Sequence, residues 1–196
     1  MKKGTIGILV VLGLVLILVL WGVSARNSLV KAEEGVKAAW AQVENQYQRR
    51  SDLIPNLVNT VKGYAAHESE TLESVIAARN QAVNATVNPD DINAQNMAQY
   101  QTAQGQVTSA LDRLMVVVER YPDLKANQNF LELQAQLEGT ENRIAVERQR
   151  FNETARAYNT SVRSFPKSMI AGMFVFEQYP YFEAAPGSNV APVVEF

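Results

Sequence analysis

Hydrophobic positions divide the chain into two regimes. Residues 4–23, GTIGILVVLGLVLILVLWGV, carry no charge over twenty consecutive positions, and Leu, Ile and Val dominate them. Twenty residues of helix rise about 30 Å, the thickness of a bilayer's hydrocarbon core. The run therefore predicts a membrane-spanning helix, with Trp21 at one headgroup boundary and Lys2 and Lys3 at the other. A cleaved secretory signal is the rival reading, because Val23-Ser24-Ala25 offers small residues in an A-x-A-like pattern after a basic start. Signal cores span only about 7 to 15 residues, which favours an uncleaved anchor.

Beyond residue 25 the apolar positions become periodic. Leu29, Val36, Trp40, Val43 and Tyr47 recur at gaps of seven, four, three and four, which places them on one helical face. Ile54, Leu57, Val61, Tyr64 or Ala65, Leu72 and Val75 continue the stripe in phase, so the spacing predicts one long helix with a kink rather than a turn at Pro55. No proline and no Gly/Ser run separates the anchor from Trp40, so the spanning helix is expected to run into the first soluble helix. The first clear turn falls at residues 87–91, where Asn88 can cap and Pro89 suits a first helical position. A second helix carries Tyr100, Val107, Leu111, Leu114, Val117 and Val118 as far as Tyr121-Pro122-Asp123. A third carries Phe130, Leu133, Leu137, Ile144, Phe151, Ala155, Tyr158 and Val162 before Phe165-Pro166 ends it. Short connections imply antiparallel neighbours, so the fold class is all-α: an anchor at 1–25, a bundle of three to four long helices at 26–164, and a distinct segment at 165–196.

That last segment holds seven of the sixteen aromatic residues and only four charged side chains in 32 residues. A short helix is expected over 170–176, a turn at 184–188 and an extended apolar tail at 190–196. Such a stretch must be covered, either by its own bundle or by another subunit or the membrane, so Phe174, Phe176, Tyr179, Tyr181 and Phe182 are candidate interface residues.

Charge and chemistry narrow the function classes. The net charge is −2 with a pI near 5.5, which supplies no positive field for sequence-independent nucleic-acid binding. Residues 1–31 are nevertheless +4 and the remainder −6. There is no cysteine and one histidine, His67, so thiol chemistry and Cys-ligated zinc are excluded. His67-Glu68 opens like a zincin helix, but Thr71 stands where the second histidine belongs, and no Glu-x-x-His pair, Gly-x-Ser-x-Gly elbow or phosphate cradle occurs. No catalytic, cofactor-binding or metal-ligating residue is assigned. Arg50, Glu68, Arg79, Glu141 and Arg148 fall on the apolar stripes, and buried charges need partners, so interhelical ion pairs are expected. The rival is a carboxylate-metal hydrolase built on Glu68 and Glu141.

Three motifs carry a resemblance. Arg49-Arg50-Ser51-Asp52-Leu53-Ile54-Pro55-Asn56-Leu57-Val58 with Val61-Lys62-Gly63-Tyr64-Ala65, then Tyr121-Pro122-Asp123-Leu124-Lys125-Ala126, then Leu137-Glu138-Gly139-Thr140-Glu141-Asn142-Arg143-Ile144, resemble the signature of the LemA family over about residues 27–183. Arg26-Asn27 stands where that family often has Tyr-Asn, and Phe151 replaces a frequent Tyr before Asn152. The resemblance implies a bacterial envelope protein with an N-terminal anchor and a helical body, without an active site to carry over. Some relatives end the apolar run with a lipoprotein cysteine, which by analogy puts the body outside the cytoplasm, on the inner membrane. Others are associated with magnetosome membranes or lie beside membrane-protease systems. The expected function is a non-enzymatic, single-pass scaffold or interaction protein, self-associating as a homo-oligomer, with membrane lipid and a further membrane protein as partners. An adaptor for a membrane protease or envelope-stress complex is the alternative.

Overall fold

The computed structural model describes residues 3–183, with side chains from residue 7 onward. Six helices follow in order: α1 Lys3–Lys62, α2 Ser69–Asn84, α3 Ala94–Val118, α4 Pro122–Lys125, α5 Gln128–Arg163 and α6 Lys167–Met173. No strand occurs among the described residues. The Lys2 and Lys3 side chains and everything expected of 184–196 lie outside the described part.

The anchor and first body helix are one element, as the missing linker predicts. Sixty residues of α1 make a rod of about 90 Å at 1.5 Å per residue. Its large apolar side chains from Ile8 to Val23 are exposed, whereas from Leu29 onward one stripe is buried and the rest is wet. The break between these patterns separates the part able to lie in lipid from the part that packs on protein.

Pro55 lies inside α1 without ending it. Proline has no N–H for the carbonyl four residues earlier, here that of Ser51, a residue only 3% exposed. Arg79 on α2 fills the vacancy, its Nε donating to the Ser51 carbonyl at 3.2 Å. The buried carbonyl is satisfied and the helix continues.

Two boundaries differ from expectation. The stripe does not continue through Val75 on one helix: α1 stops at Lys62, and Tyr64 and Ala65 both donate backbone N–H groups to the Val61 carbonyl. The chain reverses at 63–68 into α2, which runs back along α1. Leu72 and Val75 enter the same core as Ile54, Leu57 and Val61, but from the opposite side, so the phase survives while the direction does not. The second correction concerns Asn88 and Pro89, which shape a turn and start no helix. Asn88 takes the Asp90 N–H, and α3 opens at Ala94 under an Asn93–Asn96 capping box. Asn93 has extended backbone and accepts from two N–H groups of the first turn, satisfying the donors a helix start leaves open.

The long helices run up, down, up and down. α5 packs along α1 over its body portion, α2 packs on α1, and α3 packs on α2, whereas α3 and α5 are not a closely packed pair. One core cluster, near the anchor, joins Leu29, Val36, Trp40, Tyr100, Phe151 and Tyr158; the other, farther out, joins Ile54, Leu57, Val107, Leu114, Phe130 and Leu137. α6 begins three residues earlier than expected and ends at Met173, after which the extended chain to residue 183 folds back over the first cluster.

Candidate functional site

Arg50 is the only charged residue among the buried polar side chains of the described part, at 2% exposure. It projects from α1 into the gap between α3 and α5. There Nη1 donates to Glu141 on α5 at 2.9 Å and to the Thr108 hydroxyl on α3 at 3.1 Å. Nη2 donates to the Gln104 side chain at 2.8 Å and to its carbonyl at 3.1 Å. One guanidinium thus binds three helices, and its planar fork suits four acceptors spread over two neighbours. The Tyr47 ring lies 5.1 Å from the cation. Glu141 keeps 53% of its side chain in water, so the pair opens onto a groove of about 640 Å³ between α3 and α5, lined by Gln101, Thr102, Gly105, Ser109 and Arg148 among others.

The other seam charges go elsewhere. Glu68 accepts from Arg120 at 2.8 Å and from the Tyr121 hydroxyl at 3.1 Å, tying the reversal after α1 to the end of α3. Arg79 makes no ion pair among the described residues and serves the Ser51 carbonyl instead. Arg148 donates to the Glu183 carbonyl at 2.9 Å and lies 4.8 Å from the Phe182 ring. Of the five charges, then, only Arg50 and Glu141 meet each other. Glu68 and Glu141 serve different arginines, and no group of three or more His, Asp or Glu side chains is placed to hold a metal ion among the described residues. A carboxylate-metal site on those two glutamates has no support in this geometry.

Missed by the sequence reading is a clasp on α5. Asn159 donates to the Tyr179 carbonyl at 2.8 Å and accepts the Tyr179 N–H at 2.9 Å. Asn152 repeats this with Phe182, at 2.9 Å and 2.8 Å. Seven residues of helix and three of extended chain each cover about 10 Å, so two asparagines one heptad apart match two backbone units three apart. An amide side chain offers one donor and one acceptor, the complement of a peptide unit. The signal was available in the i, i+7 asparagines beside the core stripe, but its target lies far along the chain.

The clasp corrects part of the expected interface. Tyr179 and Phe182 are 9% and 6% exposed, covered by their own bundle. Phe182 stacks on Trp40 at 5.7 Å, and Tyr179 meets Tyr158 edge-on at 5.3 Å. Phe176 is partly buried against the same core, whereas Phe174 and Tyr181 stay open at 48% and 42%. Burial raises the pKa of Tyr47, Tyr100 and Tyr158 and pushes that of Tyr179 up to about 12. Burial also raises that of Glu44. Lys37 is held charged chiefly by its hydrogen bond to Asp90 at 2.6 Å, which fastens the turn before α3 to α1.

These contacts hold helices in register; none sets a nucleophile beside a base. A body of four long helices continuous with an exposed apolar helix defines the class: a membrane-associated helical-bundle protein. Within that class the chain belongs to the LemA family, whose profile matches residues 39–196. It is similar to "Magnetosome protein MamQ" of Magnetospirillum gryphiswaldense, 26% identical over 185 residues covering 86% of this chain and 68% of the relative. "Magnetosome protein MamQ 1" of Paramagnetospirillum magneticum matches to the same extent. "Protein LemA" of Metamycoplasma hominis is 22% identical over 163 residues, covering 83% of this chain and 71% of the relative.

Proposed function

We propose that the chain is a single-pass membrane-anchored scaffold that acts by binding, through self-association of its helical body, and performs no chemistry. The observation carrying this reading is the continuity of α1, sixty residues without a break. A hinge would let the body diffuse independently, whereas one helix fixes where the body's surface stands above the bilayer. Similarity to proteins named for the magnetosome, a membrane organelle, supports a structural role at membranes. The proposal sets the body on the extracytoplasmic side of the inner membrane, by analogy with family members whose apolar run ends in a lipoprotein cysteine.

The test is mass measurement of the full-length chain in lipid nanodiscs, combined with crosslinking in cells and identification of what is captured. A defined homo-oligomer in both supports the proposal. A monomer crosslinked to a membrane protease replaces self-association with the adaptor reading. A monomer without crosslinked neighbours overturns both. Deleting 165–196 is not a clean test, because Tyr179 and Phe182 belong to the core.

A further inference from the structure

α6 crosses α1 where α1 leaves the lipid. Ile170 Cδ1 lies 3.7 Å from where a Cβ on Gly22 would be, Lys167 Nζ donates to the Ser28 hydroxyl at 3.1 Å, and Arg26 sits 5.0 Å from the Phe174 ring. Gly22 lies four residues before Arg26, the first charge after the apolar run. A helix fixed to Gly22 is therefore fixed at headgroup level.

At about 100° per residue, Met169, Met173 and Ile170 share one arc of α6, while Ala171 points the other way. Ala171 is 2% exposed and packs on the bundle. The opposite arc descends toward Gly22 through Ile170, and its flanking side chains are bare: Met169 is 65% exposed and Met173 72%. Phe165 just before the helix is 81% exposed and Val175 just after it 75%. Elsewhere on the body the large exposed apolar side chains are scattered, such as Val116 on α3 and Leu131 and Val146 four turns apart on α5. Scattered apolar residues need no explanation, but a cluster does. Val175 also adopts φ 57, a left-handed conformation that is a true outlier for a β-branched residue. The conformation serves the end of α6, where it lets the Phe176 N–H reach the Ala171 carbonyl at 3.0 Å.

Charge agrees with position. Arg26, Lys31, Arg163 and Lys167 belong to this end of the molecule, and no acidic residue occurs over 1–32 or 154–176, although Val175 itself borders a hollow lined by Glu33, Asp90, Asp91 and Glu177. Apolar side chains beneath a cationic collar suit the boundary between anionic headgroups and acyl chains.

We propose that α6 with Phe165 is a second membrane contact, seated in the interface of the leaflet from which α1 emerges. The occupant of this apolar face is lipid, continuous with the lipid around Ile8 to Val23. The inference rests on the spanning role given to α1 under the proposed function. Two contacts at different radii from the α1 axis prevent the body from rotating freely about that axis, which a single span does not.

The native chain has no cysteine, so single-cysteine variants of the full-length protein, Leu12→Cys, Met173→Cys and Val116→Cys, can each carry one polarity-sensitive fluorophore. All three sites are exposed, so labelling leaves the core intact. In single-copy nanodiscs containing anionic lipid, lipid spin-labelled near the headgroup should quench the probe at 173 several-fold more than that at 116, and deep-labelled lipid should quench the probe at 12. Quenching at 173 equal to that at 116, with 12 quenched, overturns this inference and leaves the anchor standing. Loss of quenching at 12 overturns the spanning reading itself. Protection at 173 only in multi-copy discs assigns the face to a second copy and also overturns the inference.

Discussion

Removing one amide from the clasp should loosen the C-terminal strap by a calculable amount. Asn159 is 5% exposed and holds both the N–H and the carbonyl of Tyr179. With Asn159→Ala, leaving both backbone groups buried and unpaired costs roughly 1–3 kcal/mol each. The strap can escape that cost by lifting, but it then exposes Tyr179 and Phe182, whose burial stabilises by about 1.5–3 kcal/mol per side chain. The smaller of the two costs governs, so the expected loss is about 2–4 kcal/mol. Asn159→Asp tests the geometry: the shape is kept and the N–H still has an acceptor, but a carboxylate oxygen now faces the Tyr179 carbonyl, so a comparable loss is expected. Denaturant unfolding of the detergent-solubilised chain gives the energy, and amide exchange at Tyr179 and Phe182 gives the location, because these two N–H groups are held by side chains alone. A loss below about 0.5 kcal/mol with both amides still slow to exchange would falsify the clasp as the element that docks the strap.

Other outcomes follow from the seam. Arg79→Met should cost about 1–2 kcal/mol through the orphaned Ser51 carbonyl; in a Pro55→Ala background, where position 55 regains the backbone N–H that proline lacks, the cost should fall toward zero, and additive effects in the double-mutant cycle would refute the link. Glu141→Gln should cost only about 1 kcal/mol, since that carboxylate is half in water, whereas Arg50→Ala should cost about 3–5 kcal/mol because Gln104, Thr108 and Glu141 lose a common partner; equal losses in thermal melts would contradict the asymmetry. Tyr47, Tyr100, Tyr158 and Tyr179 have folded pKa values above the unfolded value near 10. Above pH of about 10 the unfolded chain therefore binds fewer protons than the folded one, and stability should fall as pH rises, by up to ~1.4 kcal/mol per unit for each tyrosine. Tyrosinate absorbance should appear together with unfolding, and smooth titration in the folded state near pH of about 10 would count against this burial.

The apolar run, the four-residue spacing around Trp40 and the order of helices were readable because they follow from local periodicity and lipid thickness, which need no knowledge of distant partners. The reversal after Lys62 was hidden because the apolar stripe stays in phase across residues 63–68, and period alone carries no direction. Arg50 and Glu141 were recognisable as seam charges by position. That Arg79 serves a carbonyl, and Glu68 meets Arg120, depends on which helices become neighbours. The asparagine clasp was least visible, since its partners are main-chain groups and the sequence shows only side chains.

The sixty-residue mast has a mechanical consequence. With α1 spanning as proposed, about forty of its residues stand clear of the hydrocarbon, placing the loop at 63–68 roughly 60 Å above it. Spanning helices lean by about 20° on average, and the lean responds to bilayer thickness. A swing of that size sweeps the tip sideways by about 20 Å, so a change of an ångström or two in the thickness of the lipid sheet is amplified at the summit. A pivot that α6 fixes at the base would turn this molecule into a lever, coupling the state of the bilayer to whatever meets its far end.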